Sequence, residues 1–456
     1  MSFQINIAKL AEILGINPNN LPEEASNELA LGISTDTRSL RSGEVFLALR
    51  GENFDGHRFV SSAIEKGAIA VIAERDSQVP LSKEVPQLIV ENSLSAYQAI
   101  ASWWRDQFTI PVIAVTGSFG KTTTKELIAA VLSTKGKVLK TQANYNNEIG
   151  VPKTLLELSP EHDFAVIEMA MRGRGQIAEL TQIAHPTLGV ITNVGTAHIG
   201  LLGTEEAIAE AKCELLAEMS PQAIAILNHD NSLLMETSAK VWQGKTIAYG
   251  LTGGDVQGEL IDAETMMVEG FQLPLPLPGR HNATNYLAAL AVAKELQIDW
   301  TPLTAGLNVQ LPEGRAKRYD LANDILILDE TYNAGLESMI AALNLLAQTP
   351  GQRHIAVLGT MKELGEKSAE LHRKVGATAH QLNLDSLLIL TDDPQAQAIA
   401  EGAKPLPSEC FPTHEAVVER LKEIVRSGDR ILFKASHSVG LDRVVNQFRE
   451  FSMGHQ

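Results

Sequence analysis

The sequence predicts an α/β protein of three domains, each built around a sheet with helices on its faces. Three observations carry that expectation. The chain has 456 residues, and at roughly 150 residues per domain that length accommodates about three. Short apolar runs bounded by turn residues alternate with helical periodicity, the pattern of mostly parallel sheets. One such run feeds a glycine-containing turn that opens a helix, an arrangement suited to phosphate.

Composition narrows the function classes. Hydrophobic residues make up 44% and charged residues 20%, the proportions of a folded globular chain. The formal net charge of −17 speaks against nucleic-acid partners, which draw on Lys and Arg to displace counterions. Cys213 and Cys410 are the only cysteines. They build no disulfide framework, so a cytoplasmic location is expected. No run approaches the ~20 apolar residues that span a bilayer. The opening MSFQINIAKLAEILG reads as an amphipathic helix without signal-peptide features. Membrane insertion is not expected.

The first domain is expected over 1–91: a helix, then strands at 44–49, 68–73 and 87–90. The second is expected over 92–312. It starts with a helix at 94–107, where Tyr97, Ile100, Ala101 and Trp104 share one face. Strands follow at 112–115, 164–167, 188–191 and 223–227, then a hairpin-like stretch at 256–277 and a helix at 283–295. The third domain, 313–456, has strands at 325–328, 355–358, 387–390 and 431–433 between helices, a second doubly wound pattern.

The sharpest motif runs from the strand at 112–115 through Thr116, Gly117, Ser118, Phe119, Gly120, Lys121, Thr122 and Thr123. Backbone N–H groups and the helix N-terminus can cradle phosphates there. Lys121 would reach the β/γ-phosphates and the Thr122 hydroxyl a magnesium ion. The standard G-x-x-x-x-G-K-[ST] pattern is not met, because Val115 stands at its first glycine.

Glu168 and His198 each follow a predicted strand, at the edge where open α/β sheets place ligands. An acid and an imidazole beside a phosphate loop suit a divalent cation. Magnesium prefers oxygen, so the histidine leaves manganese as an alternative. Lys212 lies on the apolar stripe Ile208, Ala211, Leu215, Met219 of one helix. Burial would lower its pKa, and a neutral amine can take up carbon dioxide as a carbamate. The plainer alternative, favoured by helix geometry alone, is a snorkelling lysine. The polar turn holding Asn146 and Asn147 could bind substrate, order the metal site or simply be a loop. Asn282 could be a helix N-cap. Asp329 and Glu330 put two carboxylates at a strand end of the third domain.

Taken together these segments resemble the Mur ligase family, the ATP-dependent amide-forming enzymes of peptidoglycan precursor synthesis, block by block along the whole chain. The loop 116–123 is similar to that family's own short phosphate loop. The resemblance implies a uridine-nucleotide domain, a central P-loop ATPase-like domain and a C-terminal Rossmann-like domain that binds the acceptor and closes. It implies Thr122, Glu168, His198 and a carbamylated Lys212 as metal ligands, for two magnesium ions or manganese. It makes Lys121, Glu168, His198 and Lys212 the catalytic set. Gly117, Ser118, Gly120, Lys121, Thr122, Thr123, Asn282, Arg315 and Glu330 would bind ATP, with Glu330 where relatives commonly carry Asp.

Three stretches resemble the family member that adds D-alanyl-D-alanine to UDP-N-acetylmuramoyl-tripeptide: Asp36-Thr37-Arg38 with Phe54-Asp55-Gly56-His57; Asp329-Glu330-Thr331-Tyr332-Asn333-Ala334; and 357–365 with His372. Thr360 replaces an Asp of that last signature. The substrate contacts implied are Thr37, Arg38, Asp55, Gly56, His57, Asn146, Asn147, Asn333, Lys434 and Ser436. A monomer is expected. The rivals are the tripeptide-forming member and, from a different class, a non-catalytic regulator that binds nucleotide at the P-loop.

Overall fold

The computed structural model describes residues 3–51, 54–77 and 85–454. Met1 and Ser2, part of the expected opening helix, lie outside them. The α/β class is as expected, with three main sheets among the described residues.

The first is a parallel four-stranded sheet in the order Ile33–Ser34, Val45–Leu47, Ala70–Glu74, Gln87–Val90. The opening segment departs from the expected helix at its start. Ile5–Asn6 pairs with Leu29–Ala30, and the helix begins at Ile7 because the Asn6 side chain caps it through the Lys9 N–H.

The central sheet has nine strands. Val112–Thr116 lies between Phe164–Glu168 and Leu188–Ile191, all parallel. Their apolar side chains are buried along their length, as expected of strands covered on both faces. Register decides what this places together. Glu168 is opposite Val115 and Ile191 opposite Thr116. The phosphate loop, Glu168 and the loop carrying His198 therefore leave the sheet at one carboxyl edge, at the point where the chain reverses its winding. The hairpin stretch is the antiparallel end of this sheet, Val256–Leu260, Thr265–Val268 and Phe271–Pro274.

The third sheet has six strands. Five are parallel, and an antiparallel edge strand, Lys317–Leu321, pairs with Ile325–Asp329. That edge strand has no sequence-level signature, because KRYDL is too polar to read as a strand.

Two helices fix the loop from behind. Lys121–Leu132 packs on Arg280–Glu295, which is apolar and buried on nearly every side. The second helix starts after Gly279, so Asn282 is its third residue and not its N-cap. Among the described residues no helix is long and apolar enough to cross a membrane.

Candidate active site

The loop between Thr116 and Lys121 is tied to the next strand's exit. Ser118 N–H donates to Asn193 O at 3.0 Å and Phe119 N–H to Asn193 Oδ1 at 3.0 Å. Thr192 Oγ1 donates to Phe119 O at 2.7 Å, and Gly195 N–H to Ser118 Oγ at 2.9 Å. The loop's conformation requires both glycines. Gly117 has φ 151° and Gly120 φ 77°, and a Cβ on Gly120 would sit 2.7 Å from Asn285 Oδ1. A Cβ on Gly117 would overlap Thr192 Oγ1. Thr122 and Thr123 are buried at the helix start. Lys121 folds back so that Nζ donates to Gly117 O at 2.8 Å. Burial lowers its pKa; Glu168 opposes that shift and Arg315 adds to it.

Glu168 is buried. Its Oε1 accepts from Asn146 Nδ2 at 2.8 Å, and its backbone N–H donates to Thr141 Oγ1. Its Oε2 is buried without a hydrogen-bond partner, with Lys125 Nζ 3.8 Å away. Asn147 instead closes its own turn, accepting from Gly150 N–H.

Lys212 sits in the helix Glu205–Glu218, on the face carrying Ile208, Ala211 and Leu215. It is 1% exposed and, among the described residues, makes no hydrogen bond or ion pair. A snorkelling lysine would reach solvent, so that alternative fails. Burial, with Lys121 nearby, holds its amine well below the usual lysine range. His198 stands in the left-handed region at φ 65°. Burial depresses its imidazole pKa, and Lys121 and Lys212 reinforce this against Glu363.

The residues fit a divalent cation. Glu168 offers a buried, unsatisfied oxygen, His198 an imidazole and Thr122 a hydroxyl. No group of three His, Cys, Asp or Glu side chains among the described residues forms a metal centre.

The third sheet brings further predicted residues to this edge. Arg315 lies 3.9 Å over the Tyr332 ring with its Nε buried and unpaired. Glu330 Oε1 accepts from Ala316 N–H at 3.2 Å, and its Oε2 is 3.8 Å from Lys434 Nζ. Lys434 donates to Asn333 O at 3.0 Å, and burial lowers its pKa. Ser436 Oγ accepts from Lys362 N–H at 3.0 Å. Asn282 is buried, its Nδ2 donating to Pro278 O at 2.7 Å.

The predicted residues of the first domain form a separate group. No hydrogen bond or ion pair among the described residues joins them to the phosphate loop. Arg38 pairs with Asp36 at 2.6 Å, and Thr37 O accepts from Lys66. His57 is buried and fully engaged: Nδ1 lies 2.6 Å from Asp55 Oδ1, and Nε2 accepts from Glu74 N–H at 3.0 Å. Its ring therefore shapes the loop around Gly56.

Family models cover most of the chain. Residues 31–105 match the Mur ligase family catalytic domain, 115–293 the Mur ligase middle domain, and 314–437 the Mur ligase glutamate ligase domain. A UDP-N-acetylmuramoyl-tripeptide–D-alanyl-D-alanine ligase of Synechocystis sp. is 62% identical over 91% of this chain and 91% of its own. The chain belongs to the Mur ligase family. The Escherichia coli ligase of the same name is 37% identical over 92% of this chain and 93% of its own. Among solved structures of the family, MurF from Acinetobacter baumannii superposes with a TM-score of 0.88 at 31% identity, covering 98% of this chain and 99% of that one. MurF from Thermotoga maritima in complex with ADP gives 0.84 at 32%, covering 93% and 98%.

Sequence reasoning missed two residues of this edge and gave a third no role. Lys125 is buried, donates to Thr141 O at 2.7 Å and pairs with Glu126 at 2.9 Å. Its one-turn spacing from Lys121 was the available signal. Glu337 reaches the edge from the helix Leu336–Gln348 and carried no local signal, whereas Glu363 lies in the 357–365 stretch, whose resemblance assigned this carboxylate no role.

Proposed function

We propose that this protein is the ATP-dependent carbon–nitrogen ligase that joins D-alanyl-D-alanine to UDP-N-acetylmuramoyl-tripeptide, the last cytoplasmic peptide-adding step of peptidoglycan precursor synthesis, and that it acts as a monomer. Within a chain so similar to ligases of that name, the observation that carries the reading is Lys212, a buried lysine without a partner near a phosphate loop.

Residues 92–312 bind ATP. Lys121 leaves Gly117 O for the β/γ-phosphates, held against Ser118, Gly120, Thr122 and Thr123. Asn282 meets the adenine, and Arg315 and Glu330 the nucleotide from residues 313–456. Residues 1–91 hold the uridine end of the first substrate through Thr37, Arg38 and the Asp55-Gly56-His57 loop. Asn146, Asn147, Asn333, Lys434 and Ser436 line the path to the acceptor. Lys212 takes up carbon dioxide as its neutral amine, forming an N–C bond and releasing a proton. The resulting carboxylate, with Thr122, Glu168 and His198, would hold two magnesium ions, or manganese. Bound there, the cations would neutralise charge on the γ-phosphoryl oxygens.

The tripeptide's terminal carboxylate attacks the γ-phosphorus and ADP leaves, giving an acyl phosphate. The amine of D-alanyl-D-alanine attacks the acyl carbon, loses a proton, and phosphate departs. Lys121 offsets the charge that builds on the transferring group, and the rest of catalysis is positioning. The third domain, docked over this edge, excludes water from the acyl phosphate.

The test is phosphate release from ATP in a two-by-two design, with and without each substrate. Release that needs both, with a pentapeptide product, is expected. Release with a free amino acid in place of the dipeptide would move the assignment to a sister ligase. ATP binding without release in any arm would make it a regulator.

A further inference from the structure

The loop carrying His198 is gripped by two carboxylates, and both come from segments that flank strands of the third sheet. Glu337, in the first turn of Leu336–Gln348, accepts from Thr196 N–H at 2.7 Å through Oε1 and from Thr196 Oγ1 at 3.2 Å through Oε2. Glu363 makes three contacts, one of them between its Oε1 and Arg172 Nε at 3.9 Å. Its backbone carbonyl accepts from Gly200 N–H at 3.1 Å. Its Oε2 stands 2.5 Å from His198 Nδ1, a nitrogen that is buried from solvent and has no aligned hydrogen-bond partner.

Backbone geometry shows that this meeting is built in. His198 has φ 65° and Glu363 φ 63°, left-handed conformations that are disfavoured for a non-glycine residue. Such conformations persist only where surrounding structure over-determines them. Here the two loops touch through Gly200 and Gly365. A Cβ on Gly200 would lie 2.5 Å from Gly365 N, and one on Gly365 2.9 Å from Gly200 Cα. Both strained residues flank that close approach, and their side chains face each other across it.

We propose that Glu363 is a positioning residue for His198, acting from another domain. With the ring turned into line, its carboxylate holds the proton on Nδ1, which leaves the Nε2 lone pair as the ring's donor. This is the carboxylate–histidine arrangement that fixes a ligating imidazole's tautomer and raises its basicity. Because the carboxylate belongs to the third domain, the donor state of His198 depends on that domain being docked. The inference rests on His198 as a metal ligand, and its test separates the two.

Two variants and two readouts decide it. Glu363→Ala removes the acceptor, whereas Glu363→Gln keeps an acceptor oxygen. In metal-free protein, ¹⁵N-histidine NMR, with His198 assigned through His198→Asn, should show the Nδ1–H tautomer in the parent and in Glu363→Gln, and a tautomer mixture in Glu363→Ala. Titration with Mn²⁺, followed by the electron paramagnetic resonance of the free ion, should show about 10-fold or greater weakening in Glu363→Ala. Glu363→Gln should stay within about 3-fold of the parent. An unchanged tautomer in Glu363→Ala, or equal weakening by both variants, would overturn the positioning role. If His198→Asn bound Mn²⁺ like the parent, the ligand reading itself would fail, whatever the tautomer result.

Discussion

Replacing Lys125 by methionine tests the buried charge network beneath the site. Lys125 is 1% exposed. Its Nζ donates to Thr141 O at 2.7 Å, pairs with Glu126 Oε1 at 2.9 Å and stands 3.8 Å from Glu168 Oε2. Methionine keeps most of the side chain's volume and removes the charge. Two carboxylates then lose a cation that water cannot replace. Breaking such a pair costs about 3–5 kcal/mol. Lys140, which also contacts Glu126, remains and should hold the loss to the low end, about 3 kcal/mol. Urea unfolding followed by circular dichroism measures it, with Glu126→Gln as the second arm of a double-mutant cycle. In the double variant one uncompensated carboxylate is gone, so its destabilisation should fall short of the sum of the singles by at least about 1 kcal/mol. A loss under about 1 kcal/mol for Lys125→Met, or singles that add within about 0.5 kcal/mol, would refute the network.

Three further outcomes are expected. Lys212→Ala should lose ligase activity and recover part of it with added short carboxylic acids; no recovery with unchanged metal affinity would remove the carbamate. His281 has its pKa lowered to about 4 by burial, with Lys434 adding to the shift. Its unfolded form takes up a proton near pH 6.5 and the folded form only near 4. Stability should therefore fall as pH drops through that window, by about 3 kcal/mol at most, and His281→Asn should flatten the fall in urea midpoints. Burial pushes the Cys213 thiol up to about 12, whereas Cys410 is exposed. A disulfide reagent at neutral pH should titrate Cys410 promptly and Cys213 only on unfolding.

The chain's local chemistry determined the class of fold and the identity of the phosphate loop. Apolar runs of strand length, and a strand leading through Gly117 and Gly120 into Lys121, are short-range patterns whose meaning does not depend on the rest of the molecule. Lys212 shows where that ends. Helix periodicity placed it on an apolar stripe, but a snorkelling side chain satisfies the same periodicity. Only the packed structure removed that option, by leaving the amine buried with nothing to pair. The polar edge strand Lys317–Leu321 was illegible for a related reason, since an edge strand needs little apolar surface. The contacts of Glu337 with Thr196 and of Glu363 with His198 join residues 141 and 165 positions apart. Nothing near Glu337 marks it as a partner of the site, and the 357–365 signature around Glu363 does not name His198 as its partner. Such pairs are set by how one domain's loops dock on another, through the close approach of Gly200 and Gly365, and sequence periodicity does not extend across that distance.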